Sequence, residues 1–115
     1  MGTDNNTGRT PPQSEVDQIA YRLTISREAL GLKPADLCRR AKIQPNAYSQ
    51  YENGKGRPSL DAARALRRTF GYTLDWIYEG DPSGLPHSLA AKIAEIEVGR
   101  ASKFQGGKSG KGLIA

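Results

Sequence analysis

Residues 33–54 read KPADLCRRAKIQPNAYSQYENG, and this stretch decides the fold. Pro34 suits the first turn of a helix, where its missing N–H has no intrahelical partner to lose. Asp36 favours the positive N-terminal end, and Leu37 with Ala41 faces inward. Three or four residues of turn follow. Pro45 then begins another short helix, which Gly54 ends, so a helix over 44–53 is predicted.

Upstream, Ser14 caps a longer helix whose apolar stripe runs Val16, Ile19, Ala20, Leu23 and Leu30, spaced by three, four and seven. Gly31 is placed to end it. Downstream, Gly54-Lys55-Gly56-Arg57-Pro58 has too much glycine and proline to be helical. Ser59 caps a fourth helix, with Asp61 in its first turn and Leu60, Ala63, Leu66 and Phe70 on one face, and Gly71 stops it. Thr73 caps a fifth, one- to two-turn helix holding Leu74, Trp76 and Ile77, closed by Gly80. Residues 81–84 form a turn. Pro86 to Val98, with Leu89, Ile93 and Ile96 spaced by four and three, reads as a sixth helix. No stretch resembles a strand and no internal repeat is present. The fold class is all-α. The expected organisation is a disordered N-terminal arm over 1–13, a domain over 14–80, a C-terminal helical element over 81–99 and a basic flexible tail over 100–115.

Composition narrows the function classes. The 115 residues allow one domain with a modest core. No run of about 18 apolar residues could span a membrane, and the polar start MGTDNNTGRTPPQSE lacks the apolar stretch of a signal peptide. A lone cysteine, Cys38, excludes an intramolecular disulfide and fits a reducing cytosol. One histidine, one cysteine and scattered acids give no metal-ligand spacing. No paired carboxylates, nucleophile–base pair or phosphate-cradling loop marks an enzyme, and Gly54-x-Gly56 follows a helix, so it is no dinucleotide fingerprint. No cofactor or small-molecule site is expected.

Of the net charge of +5, +4 lies in residues 33–58 and another +4 in residues 100–115, leaving −3 elsewhere. Basic charge held in blocks is what a polyanion binder needs, because each neutralised phosphate releases counterions. A solvated surface would account for it equally well. Two short helices on a tight turn, the second polar on one face, add the specific signal: this supersecondary unit enters DNA.

Residues 31–80, GLKPADLCRRAKIQPNAYSQYENGKGRPSLDAARALRRTFGYTLDWIYEG, carry a Gly-Leu before the second helix, Leu37, Ala41, Glu-x-Gly at 52–54, Pro-Ser-Leu at 58–60 and Gly-x-Thr-Leu-Asp at 71–75. In this order and spacing, residues 19–80 resemble the phage-repressor (Xre/Cro-like) helix-turn-helix family. The resemblance implies a compact five-helix repressor-like bundle, with the sixth helix and the tails added to it. It also implies a bacterial or phage-encoded protein working in the cytoplasm on the nucleoid.

Ala47, Tyr48 and Tyr51 form the expected inward face of the third helix. Gln44, Pro45, Asn46, Ser49, Gln50 and Asn53 are left outward. Asn and Gln make paired hydrogen bonds to adenine in the major groove, each worth about 1–3 kcal/mol of discrimination. Asn46 and Gln50 are the expected base readers, supported by Gln44 and Ser49. An ordinary amphipathic helix with a solvated polar face would look the same in isolation. Asn53, Lys55 and Arg57 stand where the resemblance places DNA-backbone contacts. Lys33, with the exposed amides opening the second helix, is another phosphate candidate. Arg39 and Arg40 are either solvated charges or further phosphate contacts. In the family, a glutamate at the position of Glu52 pairs with an arginine at the position of Arg27, a structural pair. Cys38 stands at a small apolar position and His87 near a helix start; Trp76 and Tyr78 belong either to the core or to a subunit contact.

The sequence also departs from the family. Lys42 stands where the tight turn carries a glycine, Lys33 and Pro34 where a Ser or Thr cap and a bracing Gln are usual, and Arg67 at a small position. The expected function is a sequence-specific regulator of transcription, a repressor, that binds double-stranded DNA as a homodimer. Helices five and six (74–98) offer a dimer surface, although the sixth helix could equally fold back on its own domain. The competing class is a protein- or RNA-interaction module, an antitoxin or adaptor, that keeps the fold.

Overall fold

The computed structural model describes residues 14–105; the expected arm over 1–13 and the last ten residues of the expected tail lie outside the described residues. The architecture is all-helical. Helix α1 (Glu15–Leu30) is followed by α2 (Pro34–Ala41), α3 (Pro45–Glu52), α4 (Leu60–Phe70), a π-helical turn (Asp75–Glu79), a 3-10 turn (Pro82–Gly84) and α5 (His87–Gln105).

Local chemistry sets most of the ends. Ser14 Oγ accepts from the Asp17 amide at 3.0 Å and Ser59 Oγ from the Ala62 amide at 3.0 Å, each satisfying one orphan donor of a first turn. Gly31 and Gly71 close α1 and α4 in the left-handed conformation. The core is a single cluster built on Ile19, Leu23 and Ile25 of α1, Leu37 of α2, Tyr48 of α3 and Leu66 of α4. Helix α1 is its spine, packed against α3, the π-turn and α5, while α2 bridges α3 and α4.

Three sequence expectations change. Leu60 is 56% exposed, while Ala63 and Leu66 of the expected face are buried, joined by Ala62 and Ala65. Leu60 is the first helical residue and lies beyond the edge of the core, so the stripe begins at Ala62. The fifth helix is a single π-turn. Trp76 Nε1 donates to the buried Ser26 Oγ at 2.8 Å, while the Arg22 guanidinium donates to the carbonyls of Ile77 and Tyr78 at 3.1 and 3.3 Å. Side chains that grip a turn from outside in this way compete with regular α-helical bonding. Helix α5 runs to Gln105, past Gly99 and through the first residues of the expected tail. A mid-helix glycine costs only about 1 kcal/mol relative to alanine. Here Arg100 holds the helix down, donating to Glu28 at 2.6 Å and lying 5.7 Å above the Tyr21 ring.

Within the single chain the last helix lies against the domain, with Leu85, Leu89 and Ile93 buried in the cluster that includes α1. Trp76 is also core, and Tyr78 donates its hydroxyl to the Pro58 carbonyl at 2.9 Å. Cys38 is a buried core residue whose thiol is pushed up by that burial. Arg67 and His87 are exposed.

Tyr72 is completely buried and its hydroxyl has no hydrogen-bond partner among the described residues; burial, and then the charge of Glu52, raise the phenol above its ordinary range. An unpaired buried hydroxyl costs about 1–3 kcal/mol. Tyr72→Phe is therefore expected to leave the domain at least as stable, gaining about 1 kcal/mol in urea denaturation. A loss of similar size would show that the hydroxyl is satisfied in solution.

Candidate nucleic-acid interface

Helix α3 is held from beneath by one carboxylate. Arg27 Nε donates to Glu52 Oε2 at 2.9 Å and Arg27 Nη2 to Oε1 at 3.0 Å, a two-point grip. The Tyr48 hydroxyl donates to Oε2, and Thr24 Oγ1 lies 3.2 Å from Oε1 with its one proton shared with the Ala20 carbonyl at 2.9 Å. Arg27 Nη1 also reaches the Leu32 carbonyl at 2.9 Å, fixing the chain between α1 and α2. The ion-pair side chains keep only 15% and 13% of their exposure. The hydrogen bond to Glu52 holds the Arg27 guanidinium above its ordinary range; burial, then that same carboxylate's bond to the phenol, raises Tyr48.

This clasp fixes the rotation of α3 about its axis. Tyr48 points down and is 1% exposed, with the Tyr51 ring edge-on to it at 6.3 Å. Tyr51 is half-buried, and Ala47 is as the helical period requires beside it on the same flank. Gln44, Pro45, Asn46, Ser49, Gln50 and Asn53 occupy the remaining positions around the helix, with Asn46 and Gln50 exposed. The helix itself spans Pro45–Glu52, so Gln44 and Asn53 are its caps. The Gln44 side chain makes no capping bond, whereas Asn53 Nδ2 donates to Ser49 Oγ at 3.2 Å. That bond ties a residue expected to read bases to one expected to hold phosphate.

A groove flanks α3 on each side. One, of about 390 Å³, lies against α2 and is lined by Pro34, Cys38, Pro45, Ser49, Glu52 and Asn53 among others. The other, of about 660 Å³, lies against α4 and includes Gln44, Ala47 and Tyr51. Asn46 and Gln50 line neither groove and form the ridge between them.

The expected phosphate-binding residues surround this ridge unevenly. Lys33 is the exposed N-cap of α2, with no side-chain capping bond. Lys55 lies just past α3, its amide bonded to the Gln50 carbonyl at 2.9 Å. Arg57 is paired with Glu15 in the first turn of α1. The loop is drawn onto that turn closely enough that a Cβ on Gly54 would sit 2.6 Å from Asp17 Oδ1, at a φ of +71°. Arg39 pairs with Asp36 at 2.5 Å, which lowers the Asp36 carboxyl, while Arg40 is exposed.

Thr24, Tyr48 as a hydrogen-bond donor, and Glu15 were not singled out from sequence. Two of them carried a signal: Thr24 precedes Arg27 by three residues and Tyr48 precedes Glu52 by four, so each pair shares a helix face. The Glu15–Arg57 contact spans 42 positions and had none.

Among the described residues no group of His, Cys, Asp or Glu could hold a metal ion, and no helix is long and apolar enough to cross a membrane. No solved structure matches the chain. A family model described as helix-turn-helix matches residues 25–77. The chain is 30% identical over 89 residues to an HTH-type transcriptional regulator, DdrOP3, of Deinococcus deserti, an alignment covering 71% of this chain and 69% of that protein. The ordered motifs, the bundle and these matches agree: the chain belongs to the phage-repressor-like (Xre/Cro-like) helix-turn-helix family of DNA-binding proteins.

Proposed function

We propose that the protein is a sequence-specific transcriptional regulator, acting as a repressor, that lays α3 in the major groove of double-stranded DNA. One observation carries this reading: α3 presents an exposed, uncharged, hydrogen-bonding ridge, Asn46 and Gln50, on a helix whose rotation is fixed by the Glu52 clasp. A helix of about 10–12 Å diameter fills a major groove about 12 Å wide. Asn and Gln then read adenine edges through paired donors and acceptors, with Gln44 and Ser49 beside them. Lys33, Lys55 and Asn53 hold the backbone and fix the register without reading sequence. Arg57 joins them when phosphate replaces Glu15 on its guanidinium; their exposed pairing is weak enough to yield. The regulatory role is supported by the relative in Deinococcus deserti, itself named a transcriptional regulator.

One reading helix buries too little surface for specificity at physiological salt, so two copies pair on half-sites about one DNA turn apart. Since Leu89 and Ile93 are consumed by their own domain, the pairing uses other surface. Selection from a random duplex pool tests the whole reading, with a palindromic consensus expected. A protein that enriched no sequence would favour the interaction-module class instead. Asn46→Ala and Gln50→Ala are expected to relax base preference, each by about 1–3 kcal/mol of discrimination, with the salt slope of binding unchanged. A Gln50→Ala variant with wild-type preference would show that the reading face lies elsewhere. Lys55→Ala should instead weaken binding to every sequence and lower the slope by about 1.

A further inference from the structure

The groove between α3 and α4 is not used by the reading ridge, yet it carries three cations on its rim. Arg40, Lys42 and Arg68 line it against one acid, Asp61, with Ser59 and small apolar side chains between them. All three cations are exposed. Among the described residues their side chains make no ion pair or hydrogen bond, unlike Arg39, Arg57 and Arg100. Arg40 and Arg68 lie in the last turns of α2 and α4, where a cation also offsets the helix dipole. Lys42, the C-cap of α2, stands at that same negative end.

Lys42 is the one non-glycine residue with positive φ among the described residues, at 58°. The other four such positions are glycines. The left-handed conformation strains an L-residue, whose Cβ crowds the following carbonyl, and leaves glycine unstrained. The lysine side chain is exposed and has no ion-pair or hydrogen-bond partner among the described residues, so only the dipole of α2 offsets the strain. A strained turn position held by an unpaired, exposed cation points to a role outside the fold.

We infer that Arg40, Lys42 and Arg68 form a second phosphate clamp, holding the DNA strand that walls the major groove on the α4 side. This rests on the reading of α3 as a groove-bound helix. At 3.6 residues per turn, Ala47 and Tyr51 lie about 100° around α3 from Asn46 and Gln50. A helix that fills the groove with its ridge therefore turns both flanks towards the sugar-phosphate walls. Lys33 and the start of α2 stand on one flank, and the three-cation rim stands on the other. With both walls held, the ridge keeps its register on either side, whereas a grip on one wall would leave it free to roll.

The test compares the wild type, Lys42→Gly, Lys42→Arg and the Arg40→Ala/Arg68→Ala double variant. Each is titrated with a duplex selected from a random pool and with a scrambled duplex, between about 0.05 and 0.2 M salt. Removing one phosphate-binding cation is expected to lower the salt slope by about 0.9 and weaken binding about fivefold near 0.15 M, equally on both duplexes. Lys42→Gly should do this while raising the urea midpoint, separating the DNA effect from any loss of fold. Lys42→Arg should restore the slope but not the stability. Variants that keep wild-type affinity and slope, while the wild type still prefers the selected duplex, overturn the clamp; the basic rim then belongs to an acidic protein partner. A wild type that binds neither duplex overturns the groove reading itself.

Discussion

Glu52→Ala is expected to lose about 3–5 kcal/mol of folding stability, because it leaves the Arg27 guanidinium buried without its carboxylate. A domain of this size has only about 5–15 kcal/mol in total, so the variant should lose a large fraction of its stability. The expectation follows from geometry. Two hydrogen bonds from Arg27 and one from Tyr48 converge on one carboxylate, with the shared Thr24 hydroxyl beside them, and the ion pair is 15% and 13% exposed. Arg27→Ala should cost a comparable amount, since it strands the carboxylate. The double variant should cost much less than the two singles summed, as neither charge is then left alone. Urea denaturation of the three variants measures this. If each single variant lost under about 1 kcal/mol, the pair would behave as a surface salt bridge, and α3 would be positioned by Tyr48 and the core alone. Function would follow stability here: without the tie from Glu52 to Arg27 of α1, α3 is free to roll, and Asn46 and Gln50 are no longer held towards one face.

The parts of this arrangement that local rules decide are legible in the sequence. Serine caps at 14 and 59 and glycine stops at 31 and 71 satisfy or terminate a single turn, and nothing distant contests them. The outward stripe of α3 is legible for the same reason, since it depends only on helical period and on which residues are polar. The positive φ of Lys42 follows from the tightness of the turn. What escapes is decided by partners far away along the chain. The π-turn is set by Ser26 and Arg22, some 50 residues earlier. The length of α5 past Gly99 accompanies the contact of Arg100 with Glu28, 72 residues away. Leu60 is apolar and in phase with Ala63, and only the end of the core leaves it in water. At the site, the role of Arg57 is the least legible: its basic charge fits a phosphate contact, while its observed neighbour is a carboxylate from the other end of the domain.

Leu89→Ala and Ile93→Ala are each expected to cost about 2–5 kcal/mol, and the size of that loss matters less than its dependence on concentration. Both side chains are nearly closed to solvent, at 6% and 3% exposure, in the cluster that includes Ile19, Leu23 and Tyr72. Sequence periodicity alone leaves two uses for such a stripe: to complete the domain's own core, or to meet a partner subunit. The two differ in a measurable way. A contact inside one chain contributes the same stability at every protein concentration, whereas a contact between chains contributes more as concentration rises. The Tyr21, Glu28, Glu97 and Arg100 contacts that hold α5 along α1 favour the first use. The urea midpoint of each variant should therefore fall by the same amount at micromolar and at roughly hundred-fold higher concentration. A deficit that disappeared at the higher concentration would mean that α5 packs between subunits in solution. Pairing on DNA would then run through α5, and the second copy would have to be sought against α1 and not on the open surface.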